Sequence, residues 1–431
     1  MIKRFLFATI YFIPLSIPVK AQSILYSRIT THKVDSINVA TRWMHLLTDL
    51  LRKDSIPPPG CLRIYAYTGL ALYESQVPAM AGYQSLFAYF SGNKIPGIDK
   101  EKYYAPITAN AAIAGIIKKL AILKSAKEID SLESYYENFF EQHISQEEWD
   151  ASIAYGRQIA DLVFQWSKSD GTFATYSSYS IPQANELWKP DRWSPTPPPG
   201  AYQGFLRTFV KEAIAMTLPN PPPAYSTDTV SVFYKNAKAV FEFRNNITIS
   251  DSLLINAWQN RYGVNHLTMG HLTKLLTLML EEGNYSLQEA SVIYAKNGIA
   301  MFDAVVASFN AIYKHNVIRP VTFIRGTIDK NWNTLYNYNF YPSYPSNFAS
   351  CVAASGTILA DAFGESYSIT DSIQTSQDGS HQFTSISNFV NTVANCRVIA
   401  GIDFPFSIEA GKILGTKIAQ LVNALPFKRA N

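Results

Sequence analysis

The sequence predicts an all-α protein, and three observations carry that prediction. Apolar residues recur at helical spacing through most of the chain. The ends of these segments hold capping residues, glycines and prolines. No long alternating strand pattern occurs. Hydrophobic residues make up 47% of the 431 residues and charged residues 16%, so a large interior must be buried.

Taken in order, Lys3 and Arg4 precede an apolar run from Phe5 to Ile17, and Val19-Lys20-Ala21 puts small residues where a signal peptidase cuts. Residues 1–21 are expected to be a cleavable secretory signal, leaving a secreted or periplasmic chain. The run is short for a spanning helix, and no later apolar run is long enough to cross a bilayer. Losing Lys3, Arg4 and Lys20 lowers the net charge from +4 to +1, which gives no electrostatic case for nucleic acid or an anionic membrane. Residues 22–431 read as one helical domain, with no fixed-period repeat.

Asp35 or Ser36 caps a pattern through Ile37, Ala40, Trp43, Met44 and Leu47. A turn at Pro57–Gly60 leads into a core helix from Cys61 to Gln76. Ile107–Leu123 and Lys127–Phe140 are amphipathic, and a capping box at Ser145 and Glu148 opens a helix to about Lys168. From Thr172 to Tyr225 the composition turns to Tyr, Ser, Trp and Pro, centred on Trp188 to Gly200. That stretch is too aromatic for a disordered linker and too rich in proline for a helix. It is expected to be an ordered loop wrapping the helical body, over the mouth of the site. Helices resume at Thr229–Arg244, Ser250–Arg261, His266–Glu282 and Ser286–Asn316. Tyr336–Tyr344 is a further loop, Ser366–Ser380 is polar and expected to be exposed, and Asn388–Ile399 and Ile408–Ala424 close the chain.

The stretch Tyr341 to Ser350 organises the rest. Pro342 and Pro345 break any preceding structure, Ser346 is a good N-cap, and Phe348, Cys351, Val352, Ser355, Leu359 and Phe363 follow at helical spacing to Gly364. Such a helix start suits an oxyanion. Upstream stands Arg319-Pro320, and downstream Arg397 and Asp403 flank a Gly401-Ile402 turn. Arg-Pro, then Pro-Ser, then Arg before Gly-Ile, in that order, resembles the vanadium-dependent haloperoxidase and type 2 phosphatidic acid phosphatase (PAP2) superfamily. The resemblance is clearest from about Leu287 to Gly415, with weaker support from Trp258, Gly270 and His271.

That resemblance implies a helical bundle of two packed four-helix-like halves, and a phosphate or vanadate site built from Lys-x6-Arg-Pro, Pro-Ser-Gly-His and Ser-Arg-x5-His motifs. Arg319, Ser346 and Arg397 match these motifs. Ile312 stands at the lysine position, Asn347 and Phe348 replace Gly-His, Cys396 replaces the serine, Asp403 holds the second histidine position, and Ser407 stands for a later aspartate. Arg319, Ser346, Asn347 and Arg397 are therefore the candidate anion-binding residues, with both arginines expected to face one pocket. A carboxylate at 403 would repel an incoming oxyanion, so Asp403 is expected to pair with Arg319 or Arg397 in its place. The rival role, a nucleophile forming an aspartyl-phosphate, leaves Asp403 as the one catalytic candidate.

The remaining chemistry is sparse. His266 and His271 lack a metalloprotease pattern and read as packing or hydrogen-bonding residues, so no metal is expected. His315, beside the Arg-Pro motif, is a candidate for the pocket's border. Of the three cysteines, Cys351 and Cys396 flank the converging motifs, and both a disulfide and buried free thiols remain open. The reading is a non-catalytic member that binds at most a small anion or organic ligand, with no cofactor expected beyond what vanadate or phosphate the resemblance allows. The alternatives are a divergent acid phosphatase or vanadium haloperoxidase, and a glycan- or protein-binding module using the Trp/Pro loop.

Overall fold

The computed structural model describes residues 37–429 apart from 122, 123, 125, 178, 191–196, 337–339 and 374–378. The expected signal, the cap at Asp35 or Ser36 and residues 191–196 of the Trp/Pro stretch lie outside the described residues. Residues 36–431 form one unit. The fold is helical, with a single two-stranded hairpin among the described residues.

The first group of helices is α1 (Ile37–Lys53), α2 (Pro58–Gln76), the short α3 (Phe87–Ser91), α4 (Ala105–Leu120), α5 (Ala126–Glu141) and α6 (Gln146–Ser167). Helix α2 begins at Pro58 rather than after Gly60. Its prolines occupy the first turn, where a missing N–H costs nothing. The capping box at Ser145 and Glu148 forms as the sequence indicates. After the Tyr/Pro segment come α7 (Ala213–Thr217), α8 (Val232–Asn245) and α9 (Ile249–Ala257).

The second group is α10 (Thr268–Glu282), α11 (Leu287–His315), α12 (Pro320–Thr327), α13 (Asn347–Phe363), α14 (Ile386–Ile399) and α15 (Pro405–Asn423). Helix α11 is the axis of the molecule. It packs on α2 to one side and on α13 and α15 to the other, joining the two groups. The expectation that no later apolar run is long enough to cross a bilayer is corrected here: among the described residues α11 is the one helix long and apolar enough, though 83% of its most apolar stretch is inside the fold. Its contact with α2 is set by two glycines. A Cβ at Gly69 would lie 2.7 Å from the Tyr294 carbonyl oxygen, and one at Gly298 would lie 2.8 Å from the Tyr65 carbonyl oxygen. No larger residue permits that approach.

Two segments differ from expectation. Helix α12 follows directly on Arg319, with Pro320 as its first residue, where the pattern reads only as the end of α11. The segment Ser366–Ser380, expected to be exposed, contributes β1 (Ile369–Asp371), which pairs antiparallel with β2 (His381–Phe383) and buries Ile369 and Asp371. Asp371 is drawn inside by His271, whose Nε2 lies 2.9 Å from both carboxylate oxygens and whose ring stacks on Trp258 at 4.0 Å. Burial alone would raise the Asp371 carboxyl, but His271 holds it below the usual carboxylate range. Cys61, Cys351 and Cys396 are free and buried, and burial pushes each thiol up to about 12, so of the two options for Cys351 and Cys396 the structure holds free thiols.

Candidate functional site

Three chain turns meet behind one wall of a cavity. Helix α11 stops at Asn316, whose left-handed conformation lets the chain leave in a new direction and deliver Arg319 as the cap of α12. The Arg319 side chain, 2% exposed, is spent on that wall. Its Nε donates to the Tyr341 carbonyl at 2.7 Å, its Nη2 to the Pro342 carbonyl at 3.0 Å, and its Nη1 to the Ile402 carbonyl at 3.3 Å and to the Asp403 carboxylate. The guanidinium also lies 4.7 Å from the Tyr341 ring centre.

Ser346 caps α13, its Oγ accepting from the Ala349 N–H at 3.3 Å and donating to Asp403 Oδ2 at 2.9 Å. Asp403 is presented by a tight turn at the end of α14. The N–H groups of Ile402 and Asp403 both donate to the Arg397 carbonyl, at 2.8 Å and 3.2 Å. The turn is possible because Gly401 takes φ +82°, and a Cβ there would meet the Trp332 ring at 2.8 Å. Arg397 Nε completes the group at 3.3 Å from Asp403 Oδ2, with its guanidinium 5.3 Å from the Phe348 ring centre. One carboxylate thus accepts from two guanidiniums and a hydroxyl in a dry setting, where charge-assisted bonds are strong.

The cavity on the other side of the wall has a volume of about 440 Å³. Its lining includes Pro57, Pro58, Pro59, Leu62, Met269, Phe309, Tyr341 and Phe348, and Arg397 is the one charged residue among the described lining residues. The Trp/Pro segment lends Pro199, Gly200 and Gln203. Asn347 also faces it, its Oδ1 accepting from the Tyr341 hydroxyl at 2.9 Å.

The predicted residues are therefore gathered but not all turned the same way. Arg319, Ser346, Arg397 and Asp403 come together as one cluster, yet only Arg397, Asn347 and Phe348 reach the cavity. The expectation that both arginines face one pocket is corrected: Arg319 is held behind the wall because three carbonyls and Asp403 take its donors. Ile312 is fully buried in α11 and is not among the described lining residues. His315 does not border the cavity; it packs edge-on against Tyr344, and burial with Lys314 lowers its imidazole. His271 is taken up by Asp371, and His266 lies 3.5 Å from Asp49. What the sequence left unseen are the carbonyls of Tyr341, Pro342 and Ile402, since a backbone acceptor has no residue signature.

The chain is similar to known proteins in the same region. Residues 292–428 match the family model for the VCPO second helical-bundle domain. The crystal structure of a bacterial vanadium-dependent iodoperoxidase is similar over 92% of this chain and 97% of that one, at 25% identity and a TM-score of 0.82. A holo-type bacterial vanadium-dependent chloroperoxidase shares the fold at 14% identity, over 86% of this chain and 93% of that one, with a TM-score of 0.67. No curated protein matches the sequence.

Proposed function

We propose, from the premise that this chain belongs to the vanadium haloperoxidase/PAP2-like superfamily, that it is a non-catalytic member. On this reading its oxyanion cradle is filled by its own Asp403, and the adjoining cavity receives a compact organic molecule rather than a free oxyanion. The observation that carries the reading is the Asp403 carboxylate, bonded to Arg319, Ser346 and Arg397 at 1% exposure. An oxyanion brought within ~4 Å of it would meet a repulsion of about 4 kcal/mol at an effective dielectric near 20.

The donor set does not fit vanadate. Ile312 supplies no cation where the resemblance calls for lysine, Phe348 and Asp403 supply no imidazole, and Arg319 is committed to carbonyls and Asp403. Without an imidazole at 403 or 348, the chain also lacks the nucleophile and general acid that phosphate hydrolysis in this family needs. The volume and largely apolar lining of the cavity instead suit a compact organic ligand. A leader over residues 1–21 supports action outside the cytoplasm, and N-terminal sequencing of the exported chain should begin at Gln22.

A divergent haloperoxidase is the second reading, favoured by the similarity to the vanadium-dependent iodoperoxidase. The deciding experiment assays iodide and bromide oxidation with orthovanadate and peroxide, and phosphate-ester hydrolysis, on the purified protein. The reading expects no turnover above the protein-free control. Turnover that disappears in Arg397→Ala would favour the second reading.

A further inference from the structure

The Tyr- and Pro-rich segment that follows α6 is only partly used by the central cavity. Its other side, with the last turns of α11, encloses a separate recess of about 420 Å³. Phe309 stands between the two spaces and lines both.

Aromatic faces form one wall of this recess. Tyr202 stacks on Tyr176 at 5.3 Å and 9° between planes, and Phe205 stacks on the same ring at 5.6 Å and 24°. Phe205 is 64% exposed. A single exposed phenylalanine is ordinary. One that lines a formed recess with Tyr202, both rings being backed by Tyr176, offers aromatic surface to a ligand. Tyr179 and Tyr313, which also line it, meet edge-on at 4.9 Å. The polar side chains are Ser177, Ser180, Asn310 and Lys314, beside the tyrosine hydroxyls, and Lys314 makes no ion pair among the described residues.

The recess is also held in shape. The Tyr313 hydroxyl donates to the Pro199 carbonyl at 2.6 Å, Asn310 Nδ2 donates to the Gly204 carbonyl at 3.1 Å, and the Tyr179 hydroxyl donates to Asn316. A Cβ at Gly204 would fall 2.4 Å from the Asn310 nitrogen, so the segment lies directly on α11. Side chains fixed before binding lose little entropy on binding.

We propose that this recess is a saccharide-binding site, and that its ligand is an oligosaccharide carrying a carboxylate, as in a uronic acid. Flat rings take the C–H face of a pyranose, the Asn310 amide takes ring hydroxyls, and the Lys314 ammonium pairs with the carboxylate. The site is separate from the Asp403 cluster, so it stands whether or not the central cavity binds anything.

The test is calorimetric titration of the purified chain with trigalacturonate and, in parallel, with cellotriose. Phe205 is exposed, so Phe205→Ala should keep the fold, checked by an unchanged melting temperature. The expected result is saturable binding of trigalacturonate, weakened about tenfold in Phe205→Ala. In Lys314→Gln the affinity should fall to that seen for cellotriose. The proposal is overturned by absence of saturable binding to trigalacturonate, by binding unchanged in Phe205→Ala, or by equal affinity of the parent protein for the two trisaccharides.

Discussion

The carboxylate of Asp403 accepts from Nη1 of Arg319 at a point where neither side chain is more than 2% exposed. Truncating one partner of such a pair leaves the other charge buried without compensation, a loss of about 3–5 kcal/mol in comparable settings. Asp403→Ala should therefore lose stability on that scale, read from denaturant midpoints. Asp403→Asn, which keeps the shape and part of the hydrogen bonding, should lose less. An unchanged midpoint in Asp403→Ala would contradict the pairing.

Gly401 is the hinge that places Asp403. Its φ of +82° and the Trp332 ring 2.8 Å from a notional Cβ give two independent reasons against any side chain. Gly401→Ala should cost at least ~1–2 kcal/mol in thermal or chemical unfolding. An effect within the noise of a surface substitution would show that the turn is not rigid.

Stability should also depend on pH through Glu74, far from the cavity. Its Oε1 accepts from the N–H groups of Leu86 and Phe87 at 2.8 Å and 2.9 Å, and burial pushes its carboxyl up to about 7 from an ordinary 4.5. Between those values the folded chain keeps a proton that the unfolded chain has released. Its contribution to stability is thus complete below about pH 4.5 and is lost as pH rises towards 7. Glu74→Gln keeps the oxygen that accepts both bonds and removes the titration. Its stability should fall less over that window, leaving it more stable than the parent above pH 7, by on the order of 3 kcal/mol at most. Parallel pH profiles for the two proteins would rule this out.

Arg319 is a fork, not a point charge. Three of its bonds end on the carbonyls of Tyr341, Pro342 and Ile402. Arg319→Lys keeps the charge but cannot reach all of these acceptors, and should lose roughly 2–4 kcal/mol, measured by denaturation. Stability equal to the parent would mean that charge alone matters there.

How much of this was legible in the sequence follows from how local each cause is. The caps at Ser145 and Ser346 were readable because a hydroxyl oxygen and the helix N–H that donates to it lie within a few residues. The order of Arg319, Ser346 and Arg397 was readable too, and so was the pairing of Asp403 with an arginine. The direction in which Arg319 points was not, because it is set by carbonyls 22 to 83 positions away. Burial of Asp371 depends on His271, 100 residues earlier, so three-residue strands in a polar stretch gave no sign of it. Helix α12 was missed because Arg319-Pro320 reads equally well as a stop and as a start.

The central claim is that Asp403 occupies the place of the oxyanion, and calorimetric titration of the purified protein with orthovanadate, with phosphate in parallel, tests it most directly. The account predicts no saturable heat with either anion. Saturable vanadate binding that is lost in Arg397→Ala would contradict it, since the cradle would then be open to an external anion.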